Sequence, residues 1–126
     1  MTVRKMAIAA LLAFALPAFA EEAPTSLPQK MEGKWGLRNN KVEIALVKMD
    51  SPTTAKLDVV FWDGCTRKGE TNAELKEGSW VFVAPGGRCE DIKATLTPVP
   101  GKNRFEGTVE TIFRGNAVTG NIYLEW

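Results

Sequence analysis

Histidine is absent from the 126 residues of this sequence. Without an imidazole, the chain cannot form a histidine-based catalytic triad, a histidine-ligated metal site or a histidine general base. The sequence also has almost no excess of positive or negative charge, because 16 lysines and arginines nearly balance 15 aspartates and glutamates, for a net charge of +1. This balance gives no electrostatic basis for binding nucleic acid. Carboxylates on the predicted strands fall mostly on the solvent face, and no Asp-rich loop suited to Ca²⁺ occurs. We therefore predict a protein with no enzymatic activity, no cofactor and no metal site.

Long hydrophobic runs are missing except near the N-terminus. Arg4 and Lys5 precede an uncharged apolar segment, residues 6–16, which is too short to span a bilayer as a stable helix. The small-x-small sequence at residues 18–20 is typical of a signal-peptide cleavage site. We predict that residues 1–20 are a signal peptide and that the protein is exported, to the periplasm or the extracellular medium.

Cleavage after Ala20 would leave 106 residues with 14 basic and 15 acidic side chains, a net charge of −1. Only two cysteines are present, Cys65 and Cys89, and both belong to this mature chain. An even pair of cysteines in an oxidising compartment usually forms a disulfide, and the spacing is not that of a Cys-x-x-Cys redox motif. The bridge would close a loop of about 24 residues and contribute roughly 3 kcal/mol of stability.

Helical periodicity is absent from the mature chain, in which apolar and polar residues alternate with a period of two. Residues 21–30 contain two prolines and no periodic pattern, so we predict a flexible N-terminal arm. Residues 31–126 are predicted to form one domain of seven or eight short strands, joined by turns and starting about a dozen residues apart. The predicted strands are Gly33–Arg38, Lys41–Met49, Ala55–Trp62, Thr71–Lys76 (the weakest), Ser79–Ala84, Asp91–Thr97, Arg104–Phe113 and Val118–Trp126. We predict an all-β fold, a small antiparallel up-and-down barrel with one disulfide, because closure leaves no strand edge exposed.

The triplet Gly33-Lys34-Trp35 opens the first predicted strand, directly after the arm. Glycine permits a close approach of the backbone, and a tryptophan two residues later can plug one end of a barrel. This Gly-x-Trp pattern resembles the first-strand signature of the calycins, which include lipocalins, avidins and small bacterial protease inhibitors. The resemblance implies a structural plug formed by Gly33 and Trp35.

One calycin branch, the periplasmic inhibitors of bacterial metalloproteases, is similar to this sequence at both of its ends. Thr25, Ser26, Leu27 and Pro28, followed by the first strand, resemble that family's N-terminal arm, and residues 104–107 resemble its late strand. The resemblance implies that the arm binds in the cleft of an exported peptidase. The cysteines depart from the family pattern, in which the first cysteine follows soon after the tryptophan.

The avidin and lipocalin branches fit less well. Leu37 stands where an avidin would have a ligand-binding asparagine, and Lys41 where it would have a serine, which argues against biotin binding. Lipocalins usually have longer chains. In a domain this small, inward Phe61, Phe82 and Phe105 would fill most of the barrel interior.

A basic cluster is a second candidate contact surface. Arg67 and Lys68 are predicted to lie in a loop beside Cys65, and Arg88 lies beside Cys89. The disulfide would therefore bring three cations together, where they could bind an acidic partner. A solvated loop whose charge is balanced by the two acids after Cys89 is the alternative interpretation.

These observations predict an exported, non-enzymatic protein that binds a protein partner, such as an exported peptidase that it inhibits. One alternative is a carrier with an internal cavity for a small apolar ligand. Another is an outer-membrane-associated structural barrel, because the chain ends in Trp126 with Leu124 and Ile122 at alternating positions. Membrane strands need about 9–11 residues and a continuous outer apolar band, whereas the predicted outer faces are charged. We therefore predict a barrel that does not span a membrane, with Trp126 packed in its core.

Overall fold

Eight antiparallel strands, each paired with its neighbours in chain order, close into a barrel. The strands are β1 (Lys30–Trp35), β2 (Asn40–Ser51), β3 (Thr54–Phe61), β4 (Arg67–Lys76), β5 (Ser79–Ala84), β6 (Ile92–Pro98), β7 (Arg104–Phe113) and β8 (Asn116–Glu125). The structure is a computed structural model that describes residues 26–126. The predicted signal peptide and Thr25 lie outside the described residues. The prediction of an all-β closed barrel is confirmed, and the barrel has eight strands, the larger of the two predicted numbers.

Barrel closure requires β1 to pair with β8, and Gly33 lies opposite Leu124 in that pairing. A Cβ atom at Gly33 would overlap the carbonyl oxygen of Tyr123, so the two strands are closer than a side chain would allow. Gly107 in β7 has the same relationship to the carbonyl oxygen of Thr95. Glycine at these two positions permits the close backbone approach that a small, strongly coiled barrel needs.

Alternation along the strands directs one set of side chains into the barrel. This inward set is apolar, and rings contribute much of its volume: the Phe61 centroid lies 5.5 Å from that of Trp35 and 6.3 Å from that of Phe82. The largest fully buried side chains are those of Trp80, Phe61, Phe105, Met31, Ile44, Leu57, Ile92, Leu96, Leu124, Val42 and Val59. These side chains fill the barrel between its ends, as expected for eight strands.

The prediction that Arg67 and Lys68 lie in a loop was wrong. They are the first two residues of β4, where Arg67 pairs with Phe61 and Lys68 with Val60. Residues 67–70 lack the alternating apolar pattern because arginine and glycine occupy the positions where apolar side chains were expected. Backbone pairing with β3, which the sequence pattern of β4 does not show, extends the strand.

Trp126 was predicted to pack in the core, and this prediction was also wrong. Its side chain is 43% exposed, because strand pairing ends one residue earlier, at Glu125. The Trp126 ring instead packs beside the ring of Phe105, with 5.2 Å between centroids. The chain therefore ends with an aromatic side chain at the rim of the barrel.

The up-and-down order of the strands places successive connections at alternate ends of the barrel. One end, which we call the disulfide end, carries residues 36–39, 62–66, 85–91 and 114–115. The bridge between Cys65 and Cys89 joins two of these connections, with 6.2 Å between the Cα atoms, as predicted. The opposite end, which we call the arm end, carries residues 26–29 and Trp126.

Candidate functional site

An open cavity of about 680 Å³ lies at the disulfide end. We call it the mouth cavity. Buried Trp35 and Val109 form its floor, and the exposed apolar residues Leu37, Ile112 and Val118 also line it, with the Ile112 side chain on the outer face of β7. Ligand sites commonly have volumes in this range and are often found in the mouths of β-barrels. The mouth cavity is therefore the candidate functional site.

Leu37 is the most exposed large apolar side chain of the described residues, at 93%. It lies in the turn between β1 and β2, where Gly36 (φ 78°) and Asn39 (φ 54°) adopt the left-handed conformation that glycine and asparagine tolerate best. The Gly36 N–H donates a hydrogen bond of 2.8 Å to the carbonyl oxygen of Asn121 in β8. The turn is thus anchored to the barrel, and Leu37 is presented to solvent from a fixed backbone.

The Trp35 side chain is held on three sides. Its Nε1–H donates a 3.1 Å hydrogen bond to the carbonyl oxygen of Trp62, and its ring meets the Phe61 ring edge to face, at 71°. The guanidinium carbon of Arg67 lies 5.8 Å from the Trp35 ring centroid, within cation–π range. These contacts give the mouth cavity a rigid floor at the position predicted to be a barrel plug.

Arg67 connects the loops on either side of the disulfide. Its Nε–H donates to the carbonyl oxygen of Glu90 (2.7 Å), and its Nη1 donates to Asp63 Oδ2 (2.8 Å) and to the carbonyl oxygen of Cys65 (3.2 Å). The residue is only 7% exposed. Because these acceptors occupy its guanidinium, Arg67 holds the loop after β3 against the loop after β5, as the disulfide also does. Its predicted cationic contact with a partner would have to be made from the cavity wall.

The other two predicted cations have different positions. Arg88 is exposed and lines the mouth cavity, together with Arg38 and Arg114. Lys68 is exposed as well, but it is not among the residues that line the cavity. The disulfide end therefore brings Arg67 and Arg88 to one cavity and leaves Lys68 outside it.

The mouth cavity is electropositive. Four arginines and two acidic residues line it, whereas the predicted mature chain has a net charge of −1. Of the two acids, Asp63 is already engaged by Arg67 and by the Cys65 N–H, at 2.6 Å. Among residues 26–126, Arg38 and Arg88 form no ion pair.

The loop that carries Arg88 is fixed by its own hydrogen bonds. The Cys89 N–H donates to the carbonyl oxygen of Gly86 (2.8 Å), and the Gly86 N–H donates to Asp91 Oδ1 (2.7 Å). The Thr111 hydroxyl on β7 donates to the carbonyl oxygen of Asp91 (2.9 Å). Together with the disulfide, these bonds hold Arg88 at a defined place on the rim.

The described residues of the predicted arm, from Ser26 onward, lie at the arm end, at the other end of the barrel from the mouth cavity. Ser26 is exposed and Pro28 is half-buried, but Leu27 is only 8% exposed and belongs to the hydrophobic core. The carbonyl oxygen of Gln29 accepts a 2.9 Å hydrogen bond from the Leu46 N–H. The described part of the arm is therefore attached to the barrel, and the two predicted contact surfaces do not combine into one site.

A cluster on the outer surface of β7 and β8 has a structural role. Arg104 donates to Glu106 (2.7 Å) and to Glu125 (2.6 Å), and its guanidinium lies 4.2 Å from the Tyr123 ring centroid. The hydrogen bonds to Glu106 and then Glu125 raise the pKa of Arg104 above its usual value. Since these groups satisfy one another across the strand pair, the cluster stabilises the sheet near its closure.

Within residues 26–126, no group of three or more cysteine, aspartate or glutamate side chains is placed to hold a metal ion. The same residues include no helix that is long and apolar enough to cross a membrane.

No protein-family model matches the chain, and no characterised protein or solved structure is significantly similar to it. The closed barrel of eight strands is consistent with the small calycin-like architecture implied by the Gly-x-Trp triplet. The protease-inhibitor branch stays a prediction.

Sequence reasoning did not identify the apolar rim of the mouth cavity. Leu37 was placed in the predicted first strand, Gly33–Arg38, but the structure ends that strand at Trp35 and has Leu37 in the turn that follows. Ile112 and Val118 have the pattern of ordinary strand residues. The pairing of β7 with β8 places Val118 on the inner face, opposite Thr111, and Ile112 on the outer face.

Proposed function

We propose that this chain is an exported, non-catalytic binding protein that docks a protein partner at its disulfide end. One observation supports the proposal most strongly: Leu37 and Val118 expose apolar side chains at a concave site with a rigid floor. Grouped exposed apolar side chains are typical of interaction sites, and binding energy concentrates where a well-packed pocket receives an anchor. Because the Leu37 turn is anchored, the chain loses little conformational entropy when this surface binds a partner.

A protein partner accounts for the structure better than an apolar ligand enclosed in the barrel. The inward positions between the two ends are filled by large side chains such as Trp80 and Phe105. The open space lies at the mouth, where arginines stand beside the apolar groups. Such a surface complements a group that protrudes from another protein.

The finer proposal is that the partner is an exported peptidase, which this protein inhibits. It extends the resemblance to the periplasmic metalloprotease inhibitors. In that family the arm would make the contact, whereas the exposed apolar group of this chain lies at the opposite end. A measurement that locates the contact on the barrel therefore separates the two arrangements.

Site-specific photo-crosslinking in living cells supplies this measurement. A benzoylphenylalanine would replace Leu37 at the mouth, Ser26 on the arm or Val47, which is 47% exposed on β2. We expect one discrete crosslinked product from position 37 and none from position 47. A product from position 26 alone would place the contact on the arm and contradict docking at the disulfide end. Peptidase activity of the captured protein, inhibited by added wild-type chain, tests the finer proposal.

A small-ligand carrier is the second candidate, because the volume of the mouth cavity, about 680 Å³, matches that of many small-molecule sites. Native mass spectrometry of the protein purified from its own host tests it. A retained small molecule that is lost in Trp35→Ala would favour the carrier.

The third alternative, an outer-membrane structural barrel, has less support, because the inner side of this barrel is apolar and its outer side is mainly polar, the reverse of membrane barrels.

A further inference from the structure

We propose that the mouth cavity recognises an acidic polypeptide segment with one bulky apolar side chain. The apolar side chain would enter the cavity, and carboxylates on either side of it would pair with Arg38 and Arg88. This inference rests on the proposed function, since it specifies the chemistry of the partner at the same site. The cavity then has two parts, an apolar centre and a cationic rim.

The apolar centre is concave and fixed in shape. Trp35 and Val109 form its floor, and both are almost completely buried. Leu37 also lines the cavity, from an anchored turn, so a side chain that enters would meet apolar groups of the floor and of the rim. A bulky leucine or phenylalanine displaces water from such a surface, which is the favourable step that a polar side chain cannot make.

The cationic rim adds the second requirement. Arg38 follows Leu37 in the same turn, and Arg88 precedes Cys89 in a loop held by the disulfide, so both charges have defined origins. Neither forms an ion pair among residues 26–126, so their guanidinium groups can pair with new carboxylates. Asp63 competes little, because Arg67 already neutralises it. Arginine binds carboxylates through two parallel hydrogen bonds, which makes acidic side chains the matching chemistry.

Two other occupants of the mouth cavity fit less well. A second copy of the chain, docked symmetrically, would bring the same four arginines face to face. An anionic lipid surface would satisfy the arginines and Leu37, but a flat surface would leave the concave floor at Trp35 unfilled. A protruding side chain on an acidic segment satisfies the floor and the rim together.

The test uses blocked synthetic peptides and the mature protein. The probe is Glu-Asp-Leu-Asp-Glu, compared with Glu-Asp-Ser-Asp-Glu, which lacks the apolar group, and Lys-Lys-Leu-Lys-Lys, which reverses the charge. Affinity is measured by calorimetry, and the site is located by the NMR shift of the Trp35 indole N–H. We expect the acidic leucine peptide to shift the Trp35 signal and to bind about tenfold more tightly than the serine peptide. The lysine peptide should not bind.

Charge reversal provides the matched control. The double variant Arg38→Glu/Arg88→Glu should lose about tenfold or more in affinity for the acidic leucine peptide, whereas Lys102→Glu, at the arm end, should keep it. Equal binding by all three proteins, or absence of binding to the wild type, would overturn the inference. Unchanged melting temperatures verify that the variants fold, and all the substituted side chains are exposed or at the rim.

Other outcomes identify the alternative occupants. Arginine-dependent binding to phosphatidylglycerol vesicles without peptide binding would assign the mouth to a lipid surface. A dimer in sedimentation that disappears in the double variant would assign it to a second copy. Each of these results would overturn the acidic-segment inference. If a crosslinked protein partner is obtained at position 37 while no acidic peptide binds, the proposed function stands and only the inference about chemistry falls.

Discussion

The guanidinium carbon of Arg67 lies 5.8 Å from the centroid of the Trp35 ring. This contact joins the floor of the mouth cavity to the two loops that the disulfide connects, because the same guanidinium binds Asp63 and the carbonyl oxygen of Glu90. The Arg67 side chain therefore connects the floor of the mouth cavity to both loops of its rim, as one unit. The unit explains why a charged side chain occupies an inward position at the start of β4.

Loss of the Arg67 guanidinium should destabilise the protein strongly. Arg67→Ala removes a buried partner from Asp63 and from two carbonyl oxygens, so we expect the free energy of unfolding to fall by about 3 kcal/mol. The neighbouring Lys68→Ala, which removes an exposed side chain, should change it by less than about 0.5 kcal/mol. Urea denaturation measures both. Equal effects of the two substitutions would contradict the structural role of Arg67.

The disulfide should contribute a similar amount. Replacing Cys65 and Cys89 with serine together should lower the free energy of unfolding by about 3 kcal/mol, because the unfolded chain regains the freedom of a closed loop. Dithiothreitol should destabilise the wild type by about as much and leave the double-serine variant unaffected. If the reductant destabilised the double-serine variant to the same extent, the loss would not come from the bridge.

The close strand approaches at Gly33 and Gly107 make a third prediction. Alanine at either position places a Cβ where a carbonyl oxygen of the neighbouring strand lies, so we expect a loss of about 1–3 kcal/mol or failure to fold. Gly64→Ala is the matched control, because its Cβ would meet no atom within 4 Å. Thermal denaturation of the three variants decides the point. A Gly33→Ala protein as stable as Gly64→Ala would show that β1 and β8 can separate without cost.

Much of the barrel could be predicted from alternation and turn residues, because each strand has one face in the core. The start of β4 could not, since residues 67–70 show no apolar period and owe their extended form to pairing with β3. The predicted disulfide also constrains the number of strands between the two cysteines. Two cysteines in connections at the same end must be separated by an even number of strands, which requires strands at both 67–76 and 79–84. Trp126 was misplaced because alternation does not show where the neighbouring strands end.

The mouth cavity was harder to predict than the fold. Its residues come from four connections and the strand ends beside them, which are distant in sequence, and strand order alone places them at the same end. The basic cluster was identified through the cysteines, but the apolar rim was not. A strand pattern identifies side chains that face the core and says nothing about which exposed ones become neighbours.

Docking of a protein partner at the disulfide end predicts different effects for a pair of matched valine substitutions. Val118 lies on the mouth rim and is 39% exposed, whereas Val47 on β2 is 47% exposed and does not line the cavity. Partner retained from an envelope extract is quantified by mass spectrometry for wild type, Val118→Asp and Val47→Asp. If the partner docks at the disulfide end, retention should fall about tenfold for Val118→Asp and stay at the wild-type level for Val47→Asp. Equal retention by both variants, at unchanged melting temperatures, would contradict it.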